Sequence, residues 1–118
     1  MAYMLFVVEP RGQREARTEA EGREAYATME AYAGTLKSHG VLRAYSSLRG
    51  DAEGQRVQKH SGKRQLRDGP FAEAREMIGG FFLLDNVTHE EALEWAAQCP
   101  AAAWATIEVR ETGPCYLR

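Results

Sequence analysis

One stretch of this 118-residue chain gathers residue types that bind and react: "RDGPFAEAREMIGGFFLLD", from Arg67 to Asp85. It sets a carboxylate, Asp68, beside Gly69 and Pro70, and runs through Phe71 and a charged segment to bare backbone at Gly79 and Gly80. Pro70 has its φ preset for a first helical turn and no amide hydrogen to leave unpaired there, so the spacing predicts a short helix with Asp68 at its start. A carboxylate in that place accepts backbone N–H bonds and faces the positive end of the helix dipole, worth roughly 0.3–1 kcal/mol. Asp68 is then a cap alone, or a cap that also serves a bound ligand as hydrogen-bond acceptor or general base. Of the two glycines, one ends the short helix and the other opens the following strand to close approach by a chain segment or a ligand.

The elements that must position these groups follow from periodicity. "YMLFVV" near the N-terminus reads as a buried strand, and the mixed charges of "EPRGQREARTEAEGRE" as a solvated loop and helix start. Tyr26, Met29, Ala33 and Leu36 recur at helical spacing, and His39 with Gly40 fits the end of that helix. "VLRAYSSL" reads as a second strand, "RVQKHSGKRQL" as a polar hairpin turning at Ser61-Gly62, "IGGFFLLD" as a third main strand and "ATIEVRE" as the last. Between the last two, Thr88 and Glu91 form a capping box ahead of a helix with Ala92, Leu93, Ala96 and Cys99 on its buried stripe, stopped by Pro100.

This order predicts one α+β domain over residues 1–118, with helices on one face of a sheet. The first and third strands are apolar without alternation, which calls for cover on both faces. The cover not supplied by helices is expected from a second subunit, giving a homodimer with facing sheets.

Composition excludes several classes. Lys and Arg total 15 against 17 Asp and Glu, a net charge of -2, so no basic footprint for nucleic acid is present. Cys99 and Cys115 lie too far apart for a CxxC redox or zinc pattern, and a reduced cytoplasmic protein is expected. The first apolar run is too short to cross a membrane and lacks the flanks of a signal peptide. His39, His60 and His89 have no metal-ligand spacing, and no GxSxG, Walker or GxGxxG motif occurs, so neither metal nor cofactor is expected.

"DGPFAEAREMIGGFFLLD", with "EEALEWAAQCP" and "IEVR" after it and "GVL" at Gly40 to Leu42 before it, closely resembles the DGPF family within the YCII-related superfamily. The resemblance covers most of the chain from Tyr26 to Arg110. It implies a ferredoxin-like sandwich, here with an inserted hairpin, pairing as a dimeric α/β barrel, and a pocket between sheet and helices to which Asp68 contributes.

On that resemblance the ligand-binding residues are Asp68, Gly69, Pro70, Phe71, Gly79 and Gly80, joined by Tyr45, Ser46, Arg43 and, on the helix wall, Met29. Asp68 is the candidate catalytic group. Members of the superfamily resemble small-molecule binders or enzymes with a His–Asp acid/base pair, one branch being a dehydrochlorinase, but Met29 stands where the helix-borne His is expected. The second strand has Ala44, Tyr45 and Ser46 where relatives carry Gly-Gly-Glu. Three readings are therefore weighed: a dimeric binder of an unidentified small molecule with weak acid/base or hydrolytic activity at Asp68, a non-enzymatic accessory protein acting through protein contacts, and a structural dimer whose motif serves folding alone. For the second, genes of the family that the chain resembles often stand beside those of extracytoplasmic-function sigma factors, which makes such a factor the candidate regulatory partner.

Overall fold

Tyr3, Leu5, Val7 and Glu9 alternate with Met4, Phe6 and Val8 along the first strand, β1 (Tyr3–Pro10), in a computed structural model that describes residues 2–118. The first set is buried and the second half-buried. Side chains of a strand point to opposite faces in turn, so β1 sorts its apolar residues between a closed face and an open one.

α1 (Glu19–Ser38) and α2 (His89–Gln98) supply the closed face. Tyr32, Ala33 and Leu36 of α1 and Ala92 and Ala96 of α2 share one core with Tyr3, Leu5, Val7, Phe82 and Leu84. Leu5, Leu36 and Leu84 are fully buried, and each is worth about 1.5–3 kcal/mol over its exposed state. Both helices begin with a capping box, Thr18 with Glu21 and Thr88 with Glu91. His39 caps the end of α1 and Gly40 follows at a φ of 71°, a left-handed turn that glycine takes without a Cβ clash.

β2 (Leu42–Ser47), β5 (Glu76–Leu84), β1 and β6 (Thr106–Glu111) form an antiparallel sheet in the order β2-β5-β1-β6. With the hairpin set aside, the chain runs strand, helix, strand, strand, helix, strand, the ferredoxin-like arrangement. β5 carries an extra residue, Gly79, where its pairing steps from Val7–Gly80 to Val8–Ile78. That bulge bends the strand beside the end of β1.

β3 (Gln55–His60) and β4 (Lys63–Asp68) make a separate hairpin that turns through Ser61 and Gly62, both at positive φ, as expected for that dipeptide. Every residue of the two strands is exposed, and the radius of gyration, 16.0 Å, exceeds the roughly 13.5 Å of an ordinary domain of this length. The hairpin is thus an arm standing away from the sandwich. Among the described residues no helix is long and apolar enough to cross a membrane.

The short helix expected after Pro70 does not form. Asp68 ends β4, the Gly69–Pro70 peptide is cis, and residues 71–75 make turns that lead directly into β5. A helix of so few residues gains too little to cover its nucleation. Here, moreover, its backbone groups are engaged elsewhere: Arg11 donates from Nε to Ala74 O at 2.7 Å and from Nη2 to Phe71 O at 2.9 Å, and the Phe71 amide faces the Asp51 carboxylate. Asp68 therefore caps nothing, and neither Gly79 nor Gly80 ends a helix. Two other positions differ from the periodicity: Tyr26 and Leu93 are exposed, while Tyr32 and Trp95 take up their share of the core margin.

Candidate functional site

The N-terminal half of α1 stands off from the closed face of the sheet and leaves a cavity of about 670 Å³. Tyr26, Met29 and Glu30 line it from the helix, Val7, Gly80 and Phe82 from the sheet, and Trp104 from the turn before β6. Tyr45 of β2 closes the far side, its ring parallel to that of Phe82 at 5.8 Å between centroids.

Among the described residues Glu9 is the one buried charged side chain, 5% exposed at the cavity floor. A carboxylate is seldom left so far from water without a partner. Arg14 supplies one, with its Nε 2.5 Å from Glu9 Oε1, an ion pair in which that oxygen is left without a hydrogen bond among the described residues. Its Nη1 and Nη2 donate to Leu48 O at 2.7 Å and Gly79 O at 3.2 Å, which fixes the guanidinium between the bulge and the loop after β2. A Cβ on Gly79 would run into both members of the pair, and one on Gly80 would lie 2.9 Å from Ser46 O. Glycine at these two places is a packing requirement of the cavity floor.

On the opposite side Tyr45 donates its hydroxyl to Glu30 Oε2 at 2.8 Å, and that bond, with partial desolvation, raises the phenol above its ordinary range. Met29 reaches down to the core, its sulfur 4.0 Å from Cys99 Sγ. The Cys99 thiol is itself pushed up by burial. Among the described residues no group of three His, Cys, Asp or Glu side chains converges as a metal site would require.

Of the residues singled out from sequence, the cavity brings together Met29, Tyr45, Ser46, Gly79 and Gly80. It leaves out Asp68, Gly69, Pro70, Phe71 and Arg43. Asp68 sits exposed at the base of the arm, accepting from Gln55 Nε2 at 2.9 Å, and Arg43 is exposed 3.9 Å from Asp85. Gly69 lies so close to the backbone of Asp51 and Gly54 that no side chain fits. Phe71 is buried beneath the Arg56 guanidinium, 3.9 Å from the ring centroid, and Glu73 bridges Arg56 and Arg67. The motif residues thus fasten the arm to the sandwich in this chain.

Sequence reasoning missed Glu9, Arg14, Arg17, Glu30 and Trp104. Three of them stand in or beside the charged stretch read as solvated, where the partly buried charges carry no local mark that separates them from exposed ones.

Fold and cavity together define a ferredoxin-like α+β protein with a cleft between its first helix and its sheet. The chain belongs to the YCII-related domain family, whose model matches residues 1–114. Among solved structures it is similar to 5-chloro-2-hydroxyhydroquinone dehydrochlorinase (TftG) from Burkholderia phenoliruptrix AC1100, in complex with 2,5-dihydroxybenzoquinone. That likeness has a TM-score of 0.54 at 16% identity and covers 96% of this chain and 94% of the other, so it bears on the fold. No curated protein matches the chain.

Proposed function

We propose that this YCII-related domain binds a small molecule in the cleft between α1 and the sheet, and works as a homodimer joined through the open sheet face. The observation that carries the first part is the cavity itself, large enough for a drug-sized ligand, with apolar and aromatic walls at Val7, Met29, Phe82 and Trp104 and a rim and floor of polar groups that include Glu9, Arg17, Glu30 and Tyr45. The ring compound held by the TftG dehydrochlorinase supports a ligand of that general size.

Any acid/base role in this chain then falls to Glu9 or Glu30, which line the cavity, in place of Asp68. The dimer is supported by the open face, where Met4, Phe6, Val8, Phe81 and Leu83 are only half-buried and no helix among the described residues covers them. An apolar strip of this kind, continuous across two central strands, marks an association surface.

A thermal-shift screen against small polar and aromatic metabolites tests the first part. A ligand at about a hundred times its dissociation constant adds roughly 2.7 kcal/mol of stability. The response is expected to vanish in Ala25→Trp, which fills the mouth of the cavity, and to survive in Asp68→Asn. The opposite pattern would return the site to the arm.

A further inference from the structure

The charged side chains on the cavity wall are Glu9, Arg14, Arg17, Glu19, Arg23 and Glu30. Glu9 is paired with Arg14 and Glu19 with Arg23, which leaves one cation and one anion. Among the described residues Arg17 has no carboxylate within ion-pair distance; its Nη2 donates one long bond, 3.4 Å, to Gln13 Oε1, and its guanidinium carbon lies 5.5 Å from the centroid of Trp104. Among the described residues Glu30 has no cation within ion-pair distance and accepts from the Tyr45 hydroxyl.

The two unmatched charges stand at opposite ends of the cleft. Tyr45 belongs to β2 and Trp104 leads into β6, the two edges of the sheet, three strand spacings or about 14 Å apart. Between them the floor is Phe82 and Val7, with Met29 above and the Glu9–Arg14 pair at the end of β1, so the stretch over Phe82 and Val7 is apolar and aromatic.

We infer that the cavity takes a planar, conjugated organic anion, its carboxylate or phenolate oxygen facing Arg17 beside Trp104 and a hydroxyl or amine at its far end donating to Glu30. This rests on the reading of the cleft as a ligand site and adds the chemical class. A half-buried guanidinium that makes no ion pair, with only the more distant Glu21 carboxylate in its field, gains from an anion more than an exposed one does, because the surrounding dielectric is lower. Arginine on an aromatic face is also pre-positioned for a planar oxyanion. A wholly apolar ligand would instead desolvate both Arg17 and Glu30 without compensation.

The test uses 4-hydroxycinnamate, its methyl ester and 4-methoxycinnamate as probes, followed by calorimetry and by quenching of tryptophan fluorescence. The free acid is expected to bind at least about tenfold more tightly than the ester, as a charged hydrogen bond allows. Arg17→Gln should abolish that difference with no change in thermal midpoint, and Glu30→Met should abolish the preference for hydroxyl over methoxy. An ester that binds as well as the acid overturns the inference and leaves the cleft standing as a ligand site. A preference for the acid that persists in Arg17→Gln overturns the assignment to Arg17, and failure of all three probes to bind overturns the inference, the cleft itself being judged by the thermal-shift screen with Ala25→Trp.

Discussion

Arg14 holds the buried carboxylate of Glu9 against the bulge of β5, so one ion pair joins the loop before α1 to the floor of the cavity. Removing one partner leaves the other charge buried and uncompensated, which costs far more than removing both. Arg14→Met should destabilise the fold by about 3 kcal/mol in urea denaturation, whereas the double variant Glu9→Met, Arg14→Met should recover most of that loss. Equal losses in single and double variants would mean that the pair contributes shape alone.

Gly79→Ala places a methyl group where the same two side chains lie. Overpacking of this kind costs about 1–3 kcal/mol, and a crystal structure of the variant should show Arg14 displaced from Gly79 O. A stable variant with Arg14 unmoved would refute the packing account of this glycine.

Thr88→Ala removes the side chain that accepts from the Glu91 amide, and Thr18→Ala does the same at α1 with Glu21. Each should lower stability by about 1 kcal/mol, measured by chemical denaturation, with additive effects because the two caps share no contact.

At the base of the arm the carboxylates are held low. Glu73 is brought down to about 2, first by the Arg67 hydrogen bond and with help from Arg56, and Asp51 is lowered by Arg11 and by the Phe71 amide. A depressed carboxylate contributes stability above its unfolded value, about 4, and that contribution is lost as pH falls through the folded value. Amide resonances of Gln55–His60 and Lys63–Asp68 should therefore move towards random-coil positions between pH 4 and 2, ahead of those in β1 and β5. The effect is modest, since Glu73 and its partners are exposed. Simultaneous loss of arm and core would show that this network does not govern the arm.

Phe6 lies in the middle of the open face, opposite Phe81. Phe6→Asp is expected to give a monomer in sedimentation at micromolar concentration while wild type sediments as a dimer. A wild-type monomer would leave that face without the second copy proposed for it.

Local chemistry made much of the fold legible. Thr88 with Glu91, Ser61 with Gly62 and His39 with Gly40 each complete their geometry within a few residues, and the structure keeps all three. The segment from Pro70 to Met77 was not legible, because its shape is imposed by Arg11 and Asp51 from distant parts of the chain. The same limit applies to the cavity: Glu9 and Glu30 look like any surface acid until the sheet brings Arg14 and Tyr45 to them. The family resemblance reaches Tyr45, Ser46 and Met29 on the cavity wall, whereas the motif that carries Asp68 lies at the base of the arm, outside this cavity.

The extra residue in β5 acts on side chains as a frameshift acts on a reading frame. On the cavity side of the sheet, Leu84, Phe82 and Gly80 follow one another at even positions, but past Gly79 the phase reverses, and Met77 falls opposite Glu9 while Ile78 joins Val8 on the open side. An uninterrupted strand of the same letters would have sent Ile78 inward beside the carboxylate. One inserted glycine thereby assigns residues to two surfaces at once, and lets each change its chemistry without rewriting the other.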